Sequence, residues 1–492
     1  MIPNLLSVNF LVPFTAHKFD ASKAIRGLVG MPRNLLLIGQ ANPPAGVNTS
    51  KRMRISTESE AVGTLGEGSM LLAMWRAAKA NAVVGLPIDV IVLADDATAV
   101  AATGKLALTA GVGHGAGEVM VYIGGERIRV GMTVADTAAT LRTKLVAAIN
   151  AVTSLPVTAV ASATAGEIDL TCRWAGATGN DIDIRVAYYA DDILPTGVTV
   201  AVTAMAGGAV NPDVSAAVAK MNGYRATEIV MPYTDSANMA VIEAELERRW
   251  GFDNMQDGQV VNVVRGTEGT VTTWLAPRNS NQVHTLCVTK DLTNPWETAA
   301  MAGAAIEGHC STDPAVPFTG VALAGYLGAR LEEDWEGEQR NNLLNAGGSV
   351  LEVMDDGTAN LLRMVTNYKK HPSGASDPSW RNLNWVKTLS YYRWFTVNVF
   401  RVSYRDYKLA EYMVDPIPGQ KIMTAQLGEE VMLNNYDQFI QAGLFQNMEF
   451  YKKTLLVEVD GANGKLKIID QPVLITQHYQ TEVTSEFVAG HV

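Results

Sequence analysis

From residue 34 onward, short and wholly apolar runs alternate with helical patterns, and this rhythm constrains the fold more than any other feature. "NLLLIG" (34–39), "IDVIVLAD" (88–95), "TEIVMPYTD" (227–235), "VVNVVRG" (260–266) and "HTLCVTK" (284–290) read as strands buried on both faces. Amphipathic helical patterns at 69–80, 214–222, 237–250 and 296–308 separate them. A strand without a polar face needs cover on both sides, so the chain is expected to be α/β, with a doubly wound and largely parallel sheet. At 492 residues it is too long for one core.

The segment 97–208 breaks the rhythm. It is rich in Ala, Thr, Val and Gly, and its alternating stretches "GEVMVYIGGERIRV" and "GNDIDIRVAYY" flank one helical pattern at 136–150. Gly124-Gly125 between two alternating runs signals a tight hairpin. The expectation is an inserted, strand-rich domain that protrudes from the host sheet. The organisation that follows is an N-terminal extended arm (1–26), an α/β core (27–96 plus 209–345), the insertion (97–208), a C-terminal α+β domain (346–471) and a C-terminal extended arm (472–492).

Both arms carry strand patterns with no evident local partner. "SVNFLVPF" sets Val8, Phe10, Val12 and Phe14 on alternate positions, with Pro13 confining the strand to an edge. "PVLITQHYQTEVTSEF" sets Val473, Ile475, Tyr479, Val483 and Phe487 on one face of an extended chain that would reach about 50 Å. An unpaired apolar strand is an aggregation hazard unless it completes the sheet of another molecule.

Catalytic chemistry finds little support. Ser69 in "GEGSMLLAMW" precedes a helical pattern and reads as an N-cap, and it comes before His114, the reverse of the order in subtilisin-like peptidases. "GVGHGAG" (111–117) is not followed by a helix, and no G-x-x-x-x-G-K-[ST] occurs. Seven scattered histidines and three distant cysteines suggest no metal, cofactor or disulfide framework. The Asp pairs at 95–96, 191–192 and 355–356 read as solvated turns.

A net charge of -11 argues against direct nucleic-acid binding. The N-terminus lacks the basic and apolar regions of a signal peptide, and no stretch reaches the length of a membrane span, so synthesis in the cytoplasm without membrane insertion is expected. Eight acids crowd 330–360, and nine Lys plus Arg crowd 363–408. These are either two solvated faces or complementary patches that meet across subunits or a partner.

The stretch "LLNAGGSVLEVMDDGTANLLRMVTNYKKHPSGASDPSWRNLNWVKTLSYYRWF" resembles contractile phage tail sheath proteins of the Mu-type branch. The matching positions are Leu343, Leu344, Gly347, Gly357, Arg363, Thr366, Tyr368, Gly374 and Asp377. "KAIRGLVGMPRNLLLIGQ" and "LGEGSMLLAMWRAAKAN" are similar to the family's start, and "FYKKTLLVEVDGANGKLKIIDQPVLITQHYQTEV" to its end.

The resemblance implies a subtilisin-like α/β core without a catalytic triad and a structural, non-enzymatic role. It implies hexameric rings of the chain in a helical array, the sheath of a virion tail, that contracts to drive a tail tube through the host envelope. Tube, baseplate and tail terminator proteins would be the partners, and terminal strands would be exchanged between subunits. Residues 336–380 would form the junction to the C-terminal domain, and the basic segment with Lys387 and Arg393, together with the helix near 425–446, would face the tube. A phage-derived bacteriocin sheath is an alternative that shares the moving part. A hydrolase on the same core is another, which would need a clustered Ser, His and acid.

Overall fold

A computed structural model describes residues 28–354, 358–411 and 420–487. Tertiary contacts divide the chain into two units, one comprising Met31–Trp394 and Gln477–Val492 and the other Met1–Gly30 and Phe395–Thr476.

The first unit is built on a mixed sheet. Its parallel strands are β1 (Leu35–Gln40), β3 (Ile88–Leu93), β11 (Glu228–Val230), β12 (Gln259–Arg265), β13 (Val283–Val288) and β15 (Gly348–Val353). Antiparallel β2 (Met53–Arg54) closes one edge, and β16 (Ala359–Arg363) with β14 (Val321–Leu323) closes the other, giving the order β14-β16-β15-β13-β12-β11-β1-β3-β2. All six residues of β1, β3 and β13 are buried, as strands covered on both faces require.

Alternation along β1 shows the two layers. Leu35 and Leu37 join the core formed by α1 (Glu58–Leu65), α2 (Met70–Asn81) and α7 (Pro295–Thr312), whereas Leu36 and Ile38 join the one formed by α4 (Ser215–Met221) and α5 (Ser236–Trp250). A third small core lies between α6 (Glu268–Leu275) and α8 (Gly337–Asn345). Helix α7 presses on the sheet through Gly303, where an added Cβ would come within 2.9 Å of Val230. Because β15 and β16 extend this sheet, the expected boundary at 345/346 is corrected: the α/β body runs on to Trp394.

Between β3 and β11 the insertion folds into two small antiparallel sheets. One has the order β10-β4-β8-β7, from β4 (Thr103–Ala110), β7 (Val157–Ala161), β8 (Glu167–Cys172) and β10 (Val198–Ala206). The other has the order β6-β5-β9, from β5 (Gly117–Ile123), β6 (Glu126–Met132) and β9 (Ile184–Val186). Helix α3 (Ala138–Ala151) inserts Leu141, Leu145 and Ile149 into their shared core. Gly124 and Gly125 turn the β5–β6 hairpin with φ of 56° and 85°, a conformation that other residues strain to adopt.

The second unit holds the later part of α9 (Leu383–Ser403), the short β17 (Lys408–Leu409) and β18 (Ile422–Met423), α10 (Ala425–Gln441), α11 (Met448–Thr454) and the hairpin β19 (Leu456–Asp460)/β20 (Lys465–Ile469). Its core is aromatic. Tyr436 stacks on Tyr451 with ring centroids 3.6 Å apart, and Phe439 meets Phe395 and Phe445. Gly428 lets α10 approach the hairpin, because an added Cβ would lie 3.0 Å from Val457 and 3.1 Å from Leu466.

The body's most demanding feature is a buried ionic cluster. The Lys387 ammonium on α9 donates to Glu228 Oε2 and Glu307 Oε1, both at 2.6 Å, and to the Thr227 carbonyl at 3.0 Å. Glu307 also accepts from the Thr227 hydroxyl at 2.8 Å and from Arg33 at 3.3 Å, and His284 Nε2 lies 2.7 Å from Glu228 Oε1. Burial alone would raise the Glu307 carboxyl, but the Lys387 and Arg33 charges outweigh it and hold the group down to about 2.

Stability from that carboxylate is therefore complete above about pH 4.5 and drains away as pH falls toward 2. Glu307→Gln should cost ~3–5 kcal/mol, since it leaves Lys387 and Arg33 with Glu228 as the one carboxylate and so a buried positive charge in excess. Denaturant unfolding at pH 7 reads the loss, and the difference from the unsubstituted chain should shrink on acidification.

Candidate functional site

The residues that could suggest catalysis are occupied by folding. Ser69 is buried at the N-cap of α2, where its Oγ accepts the Leu72 N–H at 3.3 Å. His114 lies inside the insertion with Nε2 at 2.6 Å from the Asp136 carbonyl and Nδ1 at 3.1 Å from that of Gly115. In open α/β sheets ligands enter at the carboxyl ends of strands where the winding reverses, here between β1 and β11. The strand ends there are bonded by the chain itself: the Tyr233 hydroxyl after β11 donates to Gln40 Oε1 at 3.3 Å, and on the β3 side Gln40 Nε2 donates to Asp95 Oδ1 and to the Ala175 carbonyl, both at 2.6 Å, with the Ala175 N–H donating to Asp95 Oδ2 at 3.0 Å. Among the described residues no cluster of His, Cys, Asp or Glu could hold a metal, and no helix is long and apolar enough to cross a membrane.

The basic segment is largely spent internally. Lys387 is 1% exposed, which corrects its expected tube-facing position: an ammonium neutralised by two buried carboxylates offers no charge to a partner. Arg393, the other expected tube-facing residue, is partly exposed but held by Asp257 at 2.9 Å, by the Trp250 carbonyl at 2.7 Å and by stacking over the Trp250 ring. Lys369 donates to the Leu275 carbonyl at 2.7 Å, and Arg381 to the carbonyl of Leu344. No sequence signal separated these folded cations from solvated ones.

The residues matched to the family form a set of backbone clasps. Leu343 is fully buried and Leu344 partly so. Gly347 has φ of 85° and faces the Asn367 backbone, where an added Cβ would lie 3.2 Å from Asn367 Cα; the Asn367 amide in turn donates to the Gly347 carbonyl at 2.8 Å. The Thr366 hydroxyl donates to the Trp380 carbonyl and the Tyr368 hydroxyl to Asp377, at 2.7 and 2.6 Å. Gly374, with φ of 88°, turns the loop between His371 and Ala375. Arg363 lies over the Tyr479 ring at 4.1 Å. Gly357 lies outside the described residues. These clasps sit within the body, so the expected junction at 336–380 is moved to the division at Trp394/Phe395.

The C-terminal segment differs from the single half-buried strand expected over 473–487. Val473 donates to the Tyr436 hydroxyl and accepts from Gln446, Leu474 bridges to Phe445, and Ile475 donates to the Leu444 carbonyl. Gln477 donates to the Ala315 carbonyl at 3.1 Å, and Tyr479 packs under Arg363 with its hydroxyl 3.4 Å from Asn384. From Gln480 to Phe487 the chain is exposed and has no backbone pairing among the described residues; Val483 and Phe487 are 78% and 87% exposed. The hairpin β19/β20 likewise pairs with no third described strand, and it leaves Leu456 and Ile469 each 62% exposed. Val8, Phe10, Val12 and Phe14 lie outside the described residues.

Residues 207–367 match the phage tail sheath protein central domain. The chain is 30% identical over 467 residues to the Mu-like prophage FluMu tail sheath protein of Haemophilus influenzae, spanning 95% of each chain. Among solved structures, the sheath tail protein of Listeria innocua is 11% identical with a TM-score of 0.48 over 92% of this chain and 97% of that one. The contracted helical sheath of the anti-feeding prophage is 12% identical with a TM-score of 0.47 over 97% and 99%. On the match that runs through nearly its whole length, the chain belongs to the phage tail sheath family, in the Mu-type branch.

Proposed function

We propose that the chain polymerises as hexameric rings around a tail tube and contracts to drive that tube through a host envelope for genome delivery. The observation that supports this reading is an exposed segment from Gln480 to Phe487 without backbone pairing among the described residues, in a chain that also has a two-stranded hairpin joined by no third described strand. The hairpin rests on α10 but has no third described strand, so an added strand would extend a sheet whose outer backbone groups are otherwise left to water. The N-terminal strand at Val8–Phe14 would supply a further donor.

The work of contraction needs no nucleotide. An array assembled in a metastable state can exchange weak ring-to-ring contacts for more extensive ones, and a few kcal/mol per subunit sums to a large reservoir. The body, subtilisin-like in winding but without a triad, would move as a rigid part while exchanged strands keep the mesh connected. Tube, baseplate and terminator proteins would be the partners, and the virion tail the location, after synthesis in the host cytoplasm.

With Lys387 and Arg393 committed internally, the second unit offers the exposed charges for a tube contact: Glu429 and Glu430 on α10, and Arg401 and Arg405 in and after α9. Exposed pairs are individually weak, which suits a contact that must release. A bacteriocin-type sheath would use the same parts, and packaged DNA in the native particle distinguishes it from a virion.

Electron microscopy of the full chain should show hollow striated cylinders, and a variant ending at Gln480 should remain small. Cylinders from the shortened chain would refute exchange by this segment. Glu429→Lys with Glu430→Lys should reduce co-sedimentation with tail tubes severalfold while leaving the unfolding midpoint unchanged; undiminished binding would remove α10 from the tube-facing surface.

A further inference from the structure

The turn between α5 and β12 holds an aromatic ring out in water. Phe252 is 92% exposed at its tip, and Met255 nearby is exposed as well. The loop is not slack. The N–H groups of Asn254 and Met255 both donate to the Gly251 carbonyl, at 3.1 and 2.9 Å, and that of Gln256 donates to the Arg249 carbonyl at 3.0 Å. The Arg248 guanidinium, fixed by Glu245 at 2.8 Å, donates to Asn254 Oδ1 at 3.2 Å, and Asn254 Nδ2 donates back to the Arg248 carbonyl at 3.0 Å. Met255 is held at φ of 50°, a strained value for a residue with a side chain. A large ring on a loop that is already fixed loses little further entropy on binding, which suits it to anchor an interface.

An apolar recess lies at the other end of the same sheet. Helix α5 runs against the parallel strands β11 and β12 that it connects, so residues 251–256 sit at the amino ends of the strands, just ahead of β12. At the carboxyl ends, Tyr188, Tyr189 and Ala190 of the insertion and Leu327, Arg330 and Val353 of the body line a cavity of about 560 Å³. The Arg185 and Arg330 guanidinium groups lie 4.5 and 4.4 Å from the centre of the Tyr188 ring, and the Tyr188 hydroxyl is buried with no hydrogen-bond partner among the described residues. The Arg330 side chain is 45% exposed, and the carboxylate nearest to it, that of Glu332, stands 3.9 Å away and is more exposed still.

We propose that Phe252 of one copy seats in this recess of a second copy, with the Asp253 carboxylate against Arg330. Charge fits the two together. Asp253 is exposed and follows the ring directly, so it arrives as the acceptor for a guanidinium whose donors are not all filled, and Arg248, exposed behind the loop, matches Glu332. Position fits as well. In an array whose subunits share one direction, a loop at one end of the strands and a recess at the other meet head to tail and repeat without closing. The choice of a second copy as the occupant rests on the sheath reading; the loop and the recess do not.

Phe252→Ser removes the ring and Ala190→Trp fills the recess. Both positions are exposed, so each full-length variant should keep the unfolding midpoint of the unsubstituted chain. In the unassembled fraction neither variant alone should pair. An equimolar mixture should, because one copy keeps its loop and the other its recess, and growth should stop at two chains. Sedimentation reads this dimer, expected at least severalfold above either variant alone. Asp253→Lys tests the direction: in the A190W copy, which donates the loop, it should lower the dimer severalfold, and in the F252S copy it should change nothing. A contact too brief for sedimentation is caught by a short bis-maleimide between F252C on one copy and A190C on the other, since the native Cys172, Cys287 and Cys310 are buried.

A mixture that neither sediments as dimer nor cross-links beyond the single variants overturns the contact, and so does a variant that pairs as well alone as mixed. If F252S pairs with itself as the unsubstituted chain does but no longer binds tail tubes, the loop belongs to the tube and the contact between copies is overturned. Cylinders of the unsubstituted chain are scored separately by electron microscopy. Cylinders without the mixed dimer sink this contact alone, and the mixed dimer without cylinders sinks the sheath reading alone.

Discussion

The buried contact of Lys387 with Glu228 and Glu307 is the constraint on which the body depends. Its groups come from remote parts of the chain: Arg33 ahead of β1, Glu228 on β11, Glu307 on α7 and Lys387 on α9. Two carboxylates and two cations leave the cluster formally neutral, and each charge would cost several kcal/mol if buried alone. The cluster therefore works as a register pin. α9 cannot rotate or slide without stranding an ammonium, so the first turns of this helix are fixed to the sheet and to α7. A chain read as delivering force from a rigid body needs such a fixed helix at the body's edge.

A second constraint follows at the opposite end of the parallel strands. The turn after β8 inserts Ala175 beside Gln40 and Asp95, and the Gln40 Oε1 accepts from the buried Tyr233 hydroxyl at 3.3 Å. Polar ends of strands that would otherwise need a ligand or water are satisfied by protein. The insertion is thereby bonded into the body where an enzyme of this architecture would keep an open crevice. This is a physical reason to read the fold as scaffold.

Much of the body was legible in the sequence because its signals are local. Wholly apolar runs such as 34–39 and 284–290 became strands at Leu35–Gln40 and Val283–Val288, and the helical pattern at 69–80 became Met70–Asn81 behind the Ser69 cap. What could not be read was set by distant partners. Nothing local to Lys387 reveals that two carboxylates 159 and 80 residues away will neutralise it. The chain past residue 345 looked like a new domain because its composition changes, yet β15 and β16 extend the same sheet through pairing with β13. The alternation from Val473 to Phe487 is real in the sequence, but a period-2 pattern states which residues share a face and not what, if anything, covers it.

That split C-terminus bears on the energetics of the proposed exchange. Ordering a free backbone costs about 1–2 kcal/mol per residue, so fixing the seven residues from Thr481 to Phe487 would cost on the order of 10 kcal/mol. Burying Val483 and Phe487 returns about 1.5–3 kcal/mol each, and each new backbone bond adds about 1 kcal/mol net. The balance for a single arm is close to zero. Two features of the chain tilt it without adding contacts. The segment has no pairing among the described residues to break before it engages a neighbour, and the Tyr479 anchor against Arg363 and Asn384 shortens the free tether, which raises the effective concentration of the donor at a nearby acceptor. An arm that is nearly neutral alone would become decisive only when many copies present theirs at once.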